Sequence, residues 1–216
     1  VTQGAVNVDG GAATTSVTVV QDAAQTVAQY VASPKADGKI GVVAGNVSVE
    51  DLNKGSSTVA HTIATVSVTN AGTVAVDSAA LATLNLAGTM GTVATTLSTA
   101  AATGSATLAL NTTGANTGAI TLDGDTKTVN VTNSGTSTLT NLTAAGATAL
   151  TVAGSGDLSF TASALINQAG LTSVNVTNTG STNFGTTQLN NDATFTAAGG
   201  SETVKVGATT KAISMG

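Results

Sequence analysis

The sequence predicts an all-β fold, a repetitive parallel β-solenoid with coils of about 21 residues. Three observations predict it: few large side chains in an apolar chain, short strands with period-two alternation, and the even spacing of those strands. The 216 residues include 43 Thr, 38 Ala and 25 Gly, against three Phe, one Tyr and no Trp. That inventory cannot fill a wide globular core. Yet 41% of the chain is apolar, too much for intrinsic disorder. Small aliphatic residues suit a thin stack of coils, each burying its apolar edge on its neighbours.

Apolar–polar–apolar strand cores occur at Val47-Ser48-Val49, Val66-Ser67-Val68, Leu84-Asn85-Leu86, Leu108-Ala109-Leu110, Val129-Asn130-Val131, Leu150-Thr151-Val152 and Val174-Asn175-Val176. Their starts lie 19, 18, 24, 21, 21 and 24 residues apart, and Phe195 begins a similar segment 21 further on. Alternation sends the two sides of a strand in opposite directions. Val66, Val68, Val129, Val131, Val174 and Val176 are therefore expected inside, with Ser67, Asn130 and Asn175 outside. The phrase after the strand also recurs, as Asn70-Ala71-Gly72, Asn133-Ser134-Gly135 and Asn178-Thr179-Gly180. Asn and Gly tolerate the positive φ of a sharp corner, which predicts a turn there. Secondary strands at Val74-Ala75-Val76, Ile120-Thr121-Leu122, Leu158-Ser159-Phe160 and Val204-Lys205-Val206 fall between the main ones, giving each coil two or three faces.

Residues 1–39 read as a separate N-terminal piece, comprising a strand, a short helix over 22–33 and a loop from Pro34 to Lys39, with solenoid repeats over 40–216. No apolar run is long enough to span a membrane, Val1 does not open a signal peptide, and both ends read as cuts from a longer chain. Cysteine is absent, which removes disulfides, thiol catalysis and zinc-thiolate sites. Eleven acids face six lysines, for a net charge of −5, which argues against a nucleic-acid partner. The single histidine, His61, has no second His or Cys to build a catalytic or metal site with. The Asn-x-Ser/Thr sequons at Asn46, Asn111, Asn130, Asn141 and Asn175 are what chance gives in a chain this rich in Asn and Thr. A nucleophile with its base and orienting group cannot be assembled, so the chain reads as a non-enzyme.

The remaining chemistry lies in the acids. Asp123-Gly124-Asp125 sets two carboxylates around a glycine turn, and Asp77, Asp157 and Glu202 sit beside turn-like sequence. Carboxylates and turn carbonyls are the hard oxygen donors that calcium takes, so these five are the candidate ligands. Gly199-Gly200-Ser201-Glu202-Thr203-Val204 approaches a Gly-Gly-x-Gly-x-Asp calcium repeat, without the third glycine and with Glu displaced from the Asp position.

Two blocks, Gly207–Gly216 and Val76–Gly88, resemble the RTX-related, type I-secreted S-layer proteins of Gram-negative bacteria. The resemblance implies a β-solenoid in a secreted, extracellular cell-surface lattice, exported without an N-terminal signal and assembled with calcium. It also implies self-association into a lattice or filament, and a cell-surface polysaccharide anchor through regions outside this segment. The family's calcium repeat is clearer than the sequence around Gly200 here. The alternative is an adhesin stalk or passenger solenoid, which needs length but no specific lateral edges.

Overall fold

The computed structural model describes residues 3–21, 44–56, 58–96, 106–205 and 212–215. Among them are 17 strands, and every strand pairing is parallel. The strands form two ladders. The first contains β2 (Ser16–Val20), β4 (Thr65–Ala71), β6 (Thr83–Met90), the N-terminal half of β8 (Ala106–Leu122), β9 (Thr126–Asn133), β11 (Ala149–Gly154), β13 (Ser173–Val176), β15 (Thr194–Ala197) and β17 (Ile213–Met215). The second contains β1 (Val6–Asp9), β3 (Val47–Glu50), β5 (Val74–Asp77), β7 (Val93–Thr96), the C-terminal half of β8, β10 (Ser137–Ala144), β12 (Leu158–Ser163), β14 (Ser181–Gln188) and β16 (Ser201–Lys205). The chain alternates between ladders, so each coil adds one rung to each. This is a parallel β-solenoid.

Thr and Val dominate the rungs because a branched Cβ suits a pleated surface. Their alternation sorts them. Val66, Val129 and Val176 are wholly buried and Val68, Val131 and Val174 are nearly so, whereas Ser67, Asn130 and Asn175 lie on the outside, half-covered by their row neighbours. Buried residues of both ladders join one continuous core, each aliphatic side chain contributing about 1.5–3 kcal/mol by leaving water. All three phenylalanines sit in the C-terminal coils. Phe160 stacks on Phe184 at 5.7 Å between centroids, and Phe195 meets Phe184 edge-on at 6.2 Å.

The rungs repeat at the expected interval where the coils are regular. Val129 pairs with Leu150, Val174 with Phe195, and Leu139 with Phe160, each 21 residues on. Two details differ from the sequence reading. Val47–Val49 belongs to the second ladder, beside Val6–Val8 and Val74–Val76, although its spacing from Val66 matches a coil. A loop over 51–64 fills that interval. Leu84 pairs with Leu110 rather than with Leu108, so the repeated phrases beginning at Val66 and Val129 are two residues out of register: Val66 lines up with Val131.

The corners differ too. Of the six Asn and Gly positions in the recurring phrase, only Asn70 (φ 57°) and Gly135 (φ 149°) adopt positive φ. What the corners need is hydrogen bonding. Asn70, Asn133 and Asn178 are buried, and their amides donate to the carbonyls of Gln21 at 2.9 Å, Gly135 at 2.8 Å and Gly156 at 2.9 Å. A chain that turns inward leaves carbonyls without ladder partners, and Asn is short enough to reach them.

The N-terminal strand expected within residues 1–39 is two strands, β1 and β2, and each is already a rung of a ladder. The helix expected over 22–33 and the loop 34–39 lie outside the described residues.

Candidate functional site: the acidic edge of the second ladder

The acids divide between corners and the second ladder. Register places Asp9 beside Glu50 and Glu50 beside Asp77, with Thr96 the next rung. Their inward neighbours Val49 and Val76 are buried, so alternation turns Asp9, Glu50 and Asp77 outward as one column. Rungs are about 4.8 Å apart, and like charges directly opposite on neighbouring strands destabilise. Lys54 forms an ion pair with Glu50 and relieves part of this. Asp77 Oδ1 is buried and accepts no hydrogen bond.

Glu202 stands at the opposite end. Alternation points it inward in the column Ser137–Leu158–Thr182–Glu202, stacked beside the buried Thr182. Its Oε1 is also buried and without a donor. Gly200, at φ 74°, comes next to it, and any Cβ there would collide with the carbonyl oxygens of Asn178 and Gly180 and lie 3.3 Å from Glu202 Oε1. Glycine alone lets a carboxylate and two carbonyls gather so closely.

Asp123 and Asp125 form a tight corner between β8 and β9. The Asp125 N–H donates to Asp123 Oδ1 at 2.8 Å, and the Asp123 N–H donates to Thr95 Oγ1 at 3.1 Å. This is an Asx turn, in which one carboxylate oxygen serves the backbone. Asp157 Oδ1 likewise accepts the Ser181 N–H at 2.9 Å. The structure does not bring the five candidate ligands together. Among the described residues no three His, Cys, Asp or Glu side chains converge on one point. A divalent cation fits Asp77 and Glu202 best, because a buried carboxylate oxygen with no donor is chemically incomplete. At Asp77 the neighbouring Glu50 would share the cation, and at Glu202 the Asn178 and Gly180 carbonyls would.

Sequence reasoning passed over Asp51. It is 1% exposed, and its carboxylate accepts the N–H groups of Asn53 at 3.0 Å, Thr62 at 2.7 Å and Ile63 at 2.9 Å and lies 3.1 Å from Ser78 Oγ. Burial alone pushes its pKa up. The donors from Ile63, Asn53, Thr62 and Ser78 outweigh burial and hold it below the ordinary value of 3.8. Asp51 thus fastens both ends of loop 51–64. His61 helps from within the loop, its Nδ1 accepting the Ala79 N–H at 2.8 Å. The Asp51-Leu52-Asn53 spacing, an Asx-turn pattern directly after a strand, was the available signal.

Comparison with known protein families finds no matching family model, and comparison with curated proteins finds no match. The fold and its acidic edge therefore define the chain only as a parallel β-solenoid with one charged side.

Proposed function

We propose that this chain is a structural building block of a secreted, cell-surface layer or filament, self-associating with the help of calcium and performing no catalysis. The observation that carries this reading is the pair of nine-rung ladders, whose inward rows are filled by packing and whose outward rows repeat small polar side chains. A rod with a periodic surface presents the same contact many times, which suits a lattice. Calcium enters through the unsatisfied oxygens of Asp77 and Glu202, with Asp123, Asp125 and Asp157 as corner carboxylates that bridge between copies. At a net charge of −5, divalent ions also reduce the repulsion between copies.

Electron microscopy of the purified protein in calcium and in chelator tests this directly. Ordered sheets or filaments that appear with calcium are the expected result. Separate rods in both conditions would instead favour a stalk that spaces a binding tip from the cell, and assembly unchanged by chelator would remove calcium from the account.

A further inference from the structure

The outward rows of the first ladder carry almost no charge. Reading along the register, they are Ser16–Thr65–Thr83–Ala109–Asn130–Thr151–Asn175–Thr196–Ser214, Thr18–Ser67–Asn85–Asn111–Thr132–Ala153, Val20–Thr69–Ala87–Thr113, and Thr107–Thr128–Ala149–Ser173–Thr194. Lys127 is the only charged residue in any strand of this ladder, and it sits at the irregular start of β9 with its Nζ donating to the Gly124 carbonyl at the corner. Apart from Val20, exposed on the first rung, nothing else in the rows exceeds Asn in size, so the face is flat. Its side chains are also tied to one another. Asn111 donates to Asn85 at 2.7 Å, and Asn85 donates to Ser67 at 2.8 Å.

We infer that this face is where a second copy of the chain docks, front to front. The inference rests on the self-assembly reading above and gives it a surface. Charge supplies the first reason. Asp9, Glu50 and Asp77 stack outward on the second ladder, whereas no strand of the first carries a carboxylate, so two acidic chains meet on the first without opposing carboxylates. Chemistry supplies the second, because Asn, Ser and Thr each carry both donor and acceptor and an uncharged row of them is complementary to itself about a two-fold axis. Ladders of Asn and small side chains also pack closely between sheets. Nine rungs carrying on average about three outward residues span roughly 40 Å by 13 Å, so a pair of copies buries about 1,000 Å², the lower limit for a specific contact. A neutral sugar polymer fits less well, since the described aromatics, Phe160, Phe184 and Phe195, are all buried and none offers a platform for a ring.

The chain has no cysteine, so single reporters are unambiguous. Asn130→Cys places a thiol on the central rung of the first ladder, and Thr121→Cys places one on the central rung of the second. Under mild oxidation Asn130→Cys should form disulfide dimers at least tenfold faster than Thr121→Cys. In sedimentation velocity, Asn130→Glu with Thr151→Glu should weaken association at least tenfold, whereas Thr121→Glu with Thr143→Glu, of equal net charge, should change it less than twofold. Coupling that is as fast or faster through Thr121→Cys would overturn the face while leaving self-assembly standing. A single monomeric species at every concentration would overturn both. Retention of the parent on insoluble chitin, abolished by the Asn130/Thr151 pair, would replace the second copy with a neutral polymer.

Discussion

On the first ladder the column Ser16–Thr65–Thr83–Ala109–Asn130–Thr151 runs without a charge, while on the second the column Asp9–Glu50–Asp77 stacks three carboxylates in register. Inside, the two ladders are alike, with Val66, Leu84, Leu110 and Val131 on one side and Val47, Val74, Val93 and Ile120 on the other, all 1% exposed or less apart from Val74 at 2%. A solenoid needs its inward rows apolar, whichever ladder they belong to. Its outward rows are free of that demand, so the two faces can be assigned to different tasks at little cost to the fold.

The most severe way to break the likeness of the interiors is Val131→Asp, which puts an unpaired charge in the core and should cost more than about 4 kcal/mol. The neighbouring Asn130→Asp, one residue away but outward, should stay within about 0.5 kcal/mol, and urea unfolding followed by circular dichroism compares them.

Asp51 joins the second ladder to its loop, and Asp51→Ala strands several buried donors, for a loss of about 3 kcal/mol. Its folded-state pKa is depressed, so its contribution is present above the unfolded carboxylate range and is lost as pH falls through the folded value. The stability gap between the parent and Asp51→Asn should therefore narrow as pH drops below about 4. A gap that stays constant across that range would mean that the carboxylate's charge contributes nothing.

Asp77→Asn sharpens the contrast between the outer faces. In chelator it should raise stability by up to about 1 kcal/mol by relieving the column, and it should reduce the increase in Tm that calcium gives the parent. A small effect is also expected on the neutral side, where Asn111→Ala removes a hydrogen bond in an already half-covered row. It should cost about 0.5–1 kcal/mol and leave the calcium response of Tm unaltered.

The alternation that buries Val66, Val129 and Val174 was legible in the sequence because period two is a local property of an extended chain. The membership of Val47 was not, since a loop of the right length imitates a coil and spacing alone cannot distinguish them. The acids were legible as oxygen donors but not as partners. Asp123 and Asp125 flank a glycine, and that short spacing gave them an Asx turn. Asp9, Glu50 and Asp77, up to 68 residues apart, became neighbours through strand register.

By itself the sequence determined the all-β solenoid, its coil length near 21 and which side of each strand goes inside, because composition and alternation act over a few residues. Only the tertiary structure decided which rungs stack together, and with that the column of acids, the buried fastener at Asp51 and the neutral face opposite. In parallel stacking a residue's nearest companions are a whole coil away, and each insertion or bulge between them shifts who they are.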